Sequence, residues 1–292
     1  MNDTPLPTQL DRAWLDQAWQ THADAPERVT AALASLAASL PDDEDGAATV
    51  RLAEHVWLAH RHDARGLHDL LERVPAGDAL LPAVQGALWA IALVEARPAP
   101  MLAEAVRWRS LTSAVLALVG LGRLDEARSL LMGEEPAAAG CADMAARRAY
   151  AAAANNVALD LRLGPRGDAV RDALMIDAAT LARRAWEQAG TWQHVERADY
   201  QLAMCHAVLG QGPQALAHAH ECLRRCEDAG ADAVERFFAH EALARAYRAC
   251  GESAAAHQSI AHMQQRLGEI ADADTKAWCA QTLAELEAEA AG

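Results

Sequence analysis

The residues best able to do chemistry in this chain are its 12 His and 6 Cys. Their densest run is His218-Ala-His220-Glu-Cys222, with Cys226 after it. His218, Cys222 and Cys226 stand at i, i+4 and i+8, so one helix presents them on a shared face. Imidazole and thiolate are the ligands zinc prefers, and a structural zinc needs four of them in a tetrahedron. His206 and His240 fall at core-facing positions nearby in the repeat pattern described below. Against a metal, no close CxxC pair exists and a single helix cannot wrap an ion. The alternative is that His206, His218, Cys222 and His240 replace ordinary core residues, paired to the backbone or to one another. No ligand set closes in the sequence, so no metal, no cofactor and no stoichiometric zinc are expected.

Other motifs fall short of a catalytic pattern. His240-Glu241 begins like the zinc-protease motif, but Ala244 stands where its second His belongs. His60-Arg-His62 and His68 form a second His-rich stretch, expected at a solvated helix end. There is no Walker loop, no GxSxG and no GxGxxG. Asp125-Glu126 sits where a helix begins, and carboxylates there complement the helix dipole. The 8 Trp are scattered from Trp14 to Trp278, as core packing would scatter them. The expectation is a protein that is not an enzyme. Asn155-Asn156 with Asp160 is harder to place. A strict repeat register buries Asn156 and Asp160 together. A one-residue rotation buries Tyr150, Ala154, Val157 and Leu161 instead and leaves the Asn pair nearer a groove; this is the favoured register.

The elements that must position these residues follow from composition. Of 292 residues, 52% are hydrophobic and 4% aromatic, and 72 are Ala. Ala, Leu, Glu, Arg and Gln form helices, whereas strands prefer the β-branched residues that are few here. A barrel or sandwich is excluded and disorder is too. The balance of 26 basic and 41 acidic residues gives a net charge of -15, with Lys276 the sole Lys. Nucleic acid and anionic membrane are therefore poor partners, although a local Arg-rich groove remains open. The apolar windows Ala87 to Val94 and Leu111 to Leu121 are well short of the ~20 residues of a membrane span. Met1 to Thr8 has no secretory pattern, and the Cys are scattered, as reduced, mostly buried thiols of a cytoplasmic protein would be.

Internal repetition is the strongest signal. Four stretches share one plan: an apolar helix, a Gly, and an Ala five residues later that opens a second helix. The pairs are Gly122/Ala127, Gly164/Ala169, Gly210/Ala215 and Gly251/Ala256, with Gly separations of 42, 46 and 41 residues. Upstream stripes at helical spacing include Leu111, Ala114, Val115, Leu118; Asp199, Leu202, Ala203, His206; and His240, Leu243, Ala244, Tyr247. Downstream stripes are Ala215, Ala219, Cys222 and Ala256, Ile260, Met263. Each Gly is expected to supply the left-handed residue that ends a helix. Pro213 suits a first helical turn and Ser253 an N-cap.

Gly122-Arg-Leu-Asp-Glu-Ala127, and Tyr247 to Ala256 around Gly251, resemble the turn between paired helices of the tetratricopeptide repeat. The resemblance covers roughly residues 107–270. The period departs from that family's repeat of about 34 residues, so longer helices are required. The resemblance implies an all-α fold: a right-handed α-solenoid of stacked antiparallel helix pairs. One continuous domain, 1–292, is expected: degenerate N-terminal pairs over 1–106, repeats over 107–270 and a capping helix over 271–292. In the first part, helices are expected over 10–23, 26–40, 47–62, 66–74 and 78–96, with an acidic loop over 41–46 and a short helix from Met101.

Such an array implies recognition of a protein or peptide on its concave face. The groove is expected to comprise Asn155, Arg162, Arg197, Tyr200, Met204, Phe238, Glu241, Arg245 and Arg248. A period of 41 would set Arg197 beside Phe238, Tyr200 beside Glu241 and Met204 beside Arg245. Arg forks pair with carboxylates and aromatics supply anchor area. The expected partner is an acidic or carboxylate-ended segment, with a homodimer also allowed. Internal pairing of these Arg with Glu196, Glu221 or Glu241 is the competing arrangement. Two other functions stand as alternatives: a sensor binding a small molecule or signalling peptide, and a His/Cys metalloprotein or enzyme.

Overall fold

The computed structural model describes residue 7 and residues 9–291, the side chains of 290 and 291 excepted. Most of the segment bearing the leader expectation, Met1 to Thr8, lies outside the described residues. The described residues form α-helices with no strand among them, as the Ala-rich composition requires. Two compact units divide the chain, residues 1–153 and 154–292.

In the first unit, α1 (Arg12–Thr21) and α2 (Pro26–Leu36) are followed by α3 (Glu44–His55), which runs into a π-helical turn, Val56–His60. Then come α4 (Ala64–Leu71), α5 (Leu81–Val94), α6 (Glu104–Arg109), α7 (Leu111–Gly120), α8 (Leu124–Gly133) and α9 (Glu135–Gly140). α10 (Met144–Leu163) begins here and ends in the second unit. Residues 111–119 of α7 are all buried, Thr112 and Ser113 included; a helix covered on every side belongs inside a core. Around it Trp108 and Tyr150 are fully buried with rings 5.7 Å apart. Their polar tips are satisfied: Trp108 Nε1 donates to Glu134 at 2.8 Å and the Tyr150 hydroxyl to the Leu131 carbonyl at 3.2 Å.

The second unit continues with α11 (Ala169–Ala189), α12 (Trp192–Val208), α13 (Gly212–Asp228), α14 (Ala233–Ala249), α15 (Ser253–Glu269) and α16 (Ala273–Ala291). Consecutive helices pack on one another, and α14 also lies against α12 and α16. Every downstream stripe residue, Ala215, Ala219, Cys222, Ala256, Ile260 and Met263, is buried. Small side chains at the crossings (Ala203, Ala215, Ala219, Ala242 and Ala246) form the core shared by α12, α13 and α14.

Three of the repeat glycines end their helices alike. Gly122, Gly210 and Gly251 have φ of +74°, +68° and +77°. In each turn the residue after the Gly donates back to a carbonyl five positions earlier: Arg123 to Leu118 at 2.8 Å, Gln211 to His206 at 3.0 Å and Glu252 to Tyr247 at 2.9 Å. This is the Schellman closure, which needs a left-handed residue. The second copy differs. There Gly167, at φ +100°, is left-handed and Gly164 is not, because α10 is followed by a longer loop.

Boundaries moved for local reasons. The acidic loop is shorter than 41–46, because Asp43 accepts from the Gly46 amide and starts α3 at Glu44. Ser253 is the first residue of α15, not its cap; Glu252 holds the cap position. Met101 is fully exposed and the short helix starts at Glu104. The favoured register of α10 holds: Tyr150, Ala154, Val157 and Leu161 are buried, Asn156 is exposed and Asn155 half-buried.

Candidate functional site

The expected groove residues fall on α10, α12 and α14, in the second unit. Tyr200 and Glu241 meet as the period requires: the hydroxyl donates to the carboxylate at 2.9 Å. Burial, then the Glu241 charge, push the Tyr200 phenol well up, so it remains a donor. Arg245 Nε donates to the same Glu241 at 2.9 Å. Glu241 is thus a buried acceptor between two donors rather than a groove-facing group.

Farther along α14, two cations converge on one carboxylate. Arg245 lies 3.2 Å and Arg248 3.0 Å from Glu289 of α16. Arg248 also donates to the Glu289 carbonyl at 2.8 Å. Arg245, Arg248 and Glu289 line a pocket of about 260 Å³ with Ala207, Val208 and Ala249. Glu289 is 48% exposed while Arg245 is only 22% exposed. The cations are therefore held by the fold and their carboxylate reaches solvent.

The remaining expected residues divide. Phe238 is half-buried, 6.1 Å from the Tyr200 ring and 4.7 Å from Trp278 of α16. Arg197 is exposed and pairs with Glu235, one turn before Phe238. Met204 is buried, 4% exposed, and is core. Arg162 is half-buried, with a buried Nε lacking a hydrogen-bond partner, and its charge acts on Tyr200. Asn155 is half-buried on α10. Glu241 was foreseen as an Arg partner; Glu235 and Glu289 were not, since both lie outside the repeat stripes.

The His and Cys of α13 do not converge on one point. Cys222 donates to Glu196 at 2.8 Å. A hydrogen bond with Cys226 and burial push the Cys222 thiol far up, which keeps it protonated and poorly nucleophilic. Burial lifts the Glu196 carboxyl to about 7. His218 Nδ1 lies 3.4 Å from Asp199, which also takes Arg183 at 2.9 Å and Arg225 at 3.0 Å. Burial works to raise Asp199, and the His218 and Arg183 hydrogen bonds outweigh it, holding the carboxyl below its usual value. His206 stacks on His218 and bonds Gln211, and His240 meets His262 edge-to-face at 4.7 Å with its Nδ1 lacking a hydrogen-bond partner. Cys222 and His240 are buried, whereas His206 and His218 are only half-buried beside them.

The first unit holds a cluster absent from the sequence expectations. His22, at the end of α1, meets His55 and His60 with ring centroids 4.9, 4.9 and 5.0 Å apart. Burial, then repulsion from His22 and His60, lowers His55 to about 3, and burial, then repulsion from His22 and His62, lowers His60 to about 4, so both are neutral near pH 7. Only one other group of His, Cys or carboxylates comes as close among the described residues: the exposed His68, Asp69 and Glu72. His22 stood in no motif, and His60 was expected only at a solvated helix end.

No helix among the described residues is long and apolar enough to cross a membrane. No protein-family model matches the chain, and no curated protein matches it.

Proposed function

We propose that the second unit is a non-catalytic recognition module, built from tetratricopeptide-like helix pairs in a right-handed stack, that holds an acidic or carboxylate-ended protein segment. The observation that carries this reading is the convergence of Arg245 and Arg248 on the single, half-exposed carboxylate of Glu289 beside an open pocket. Two guanidinium groups on one helix, partly desolvated by their neighbours, form a carboxylate receptor. Glu289 stands where a ligand carboxylate would sit. An exposed ion pair contributes about 0–1 kcal/mol, so an incoming carboxylate with apolar anchors can displace it. Phe238 and Trp278 offer apolar area along the same helices, α14 and α16.

Recurrent turns at Gly122, Gly210 and Gly251 support the repeat assignment. A cytoplasmic setting fits the six unpaired thiols. The net charge of -15 argues against nucleic acid and anionic membrane as partners.

The test is capture of partners from native lysate by wild type and by an Arg245→Ala/Arg248→Ala variant with unchanged circular dichroism. A partner retained by wild type should bind the variant more weakly by on the order of 2 kcal/mol. Equal retention by both would move the interaction elsewhere.

A further inference from the structure

The π-helical turn at Val56–His60 does something an α-helix cannot. Residues five apart on an α-helix point about 140° away from each other. Here the Arg61 amide donates to the Val56 carbonyl at 3.0 Å, an i to i+5 bond that inserts one extra residue into the turn. His55 and His60 thereby come onto one side, with Nε2 to Nε2 at 3.2 Å. Two imidazole nitrogens bound to one zinc, each about 2.05 Å from it in a tetrahedron, lie about 3.3 Å apart. The observed pair already has that separation.

His22 supplies a third ring from a different helix. Its Nδ1 is 2.6 Å from the Trp19 carbonyl. A carbonyl only accepts, so Nδ1 carries the proton and Nε2 keeps the lone pair. A backbone carbonyl on the far nitrogen is the arrangement that orients metal-bound imidazoles. One nitrogen from each of the three rings lies within 4.8 Å of the other two. Trp19 packs against His22 and His55 at 5.5 and 5.8 Å and limits their rotation. Asp24 is near enough for its charge to act on His22, and Arg61, next to His60 in the sequence, is paired with Glu27 at 3.1 Å.

We propose that His22, His55 and His60 bind a divalent transition-metal ion of the zinc class through three imidazole nitrogens, with a further coordination position open to water or a ligand. Three neutral nitrogen donors suit Zn²⁺, Co²⁺ and Cu²⁺ and disfavour Mg²⁺ and Ca²⁺, which take oxygen. The site is independent of the groove and reverses the expectation of no bound zinc drawn from sequence spacing.

The test titrates the chelator-treated full chain with Zn²⁺, then with Co²⁺. One Zn²⁺ per chain is expected, with micromolar or tighter affinity. Co²⁺ should give the intense visible bands of a four-coordinate, nitrogen-ligated ion. His22→Gln and His60→Gln should each weaken Zn²⁺ at least a hundredfold, and His68→Gln, in the exposed cluster, should leave it unchanged. His22 is half-buried at a helix end, so its variant should fold even if the His60 variant does not; circular dichroism checks both. Absence of stoichiometric binding, Zn²⁺ affinity unchanged in His22→Gln, or loss only in His68→Gln would overturn the proposal.

Discussion

Glu196 shows how one buried side chain sets a measurable property. Its carboxyl is 1% exposed, accepts from the Cys222 thiol and leaves Oε2 without a partner. Burial raises its folded value to about 7 from 4.5. The folded state therefore holds the proton more tightly than the unfolded chain. This group's contribution to stability is fully present below pH 4.5 and is lost as pH rises through about 7. Glu196→Gln keeps an acceptor for Cys222 and cannot ionise. Its stability relative to wild type should therefore rise between about pH 5 and pH 8 by on the order of 2 kcal/mol, read from urea unfolding at both values. A difference independent of pH would mean that Glu196 is not held protonated. The sequence placed Cys222 on the packed face correctly, yet nothing in its spacing named Glu196 as the partner. That contact crosses from α12 to α13, and only the packing of the two helices creates it.

Helices and their turns were the most legible level, because they are written in local spacing. The stripes through Leu111, Ala215 and Ala256 repeat at helical intervals, and each reaches the core. Gly251 is the clearest turn. Its φ of +77° lies where side chains are disfavoured, and a Cβ there would meet nothing within 4 Å. Gly251→Ala should therefore lower stability by about 1 kcal/mol, all of it conformational. Gly268, inside α15, also has open space but helical backbone. Gly268→Ala should raise stability by about 0.5–1 kcal/mol. Opposite signs in paired thermal melts are the expected result, and equal signs would refute the turn assignment. The π-helical turn was illegible for a definite reason: period arguments assume 3.6 residues per turn. At that period His55 and His60 diverge, so their meeting could not be read from the order of residues. Gly164 misled similarly, because a Gly at the right interval does not reveal which residue of a longer loop turns left-handed.

At the scale of the whole molecule, an anionic chain of net charge -15 keeps paired Arg along one helix of its second unit. The period of 41 correctly joined Tyr200 to Glu241. It did not anticipate Glu289, because α16 lies beyond the last repeat and shares no stripe with α14. The placement of Glu289 makes the recognition proposal sharper than the sequence allowed, since it predicts a gain as well as a loss. Removing that carboxylate frees Nη1 of Arg248 and one face of Arg245, while the Arg248 bond to the residue 289 carbonyl and the Glu241 bonds stay intact. Screening between partly exposed charges should also weaken any acidic ligand as salt rises. The most direct measurement is fluorescence anisotropy with a labelled set of acidic peptides, each made with a free carboxyl end and with an amidated end. Wild type, Glu289→Ala and Arg245→Ala/Arg248→Ala are titrated side by side. The predicted result is that the free-carboxyl peptides bind preferentially, up to about fivefold more tightly to Glu289→Ala, and at least tenfold more weakly to the double Arg variant. No binding by any peptide, or affinities equal across all three proteins and both peptide ends, would contradict a carboxylate-gripping groove.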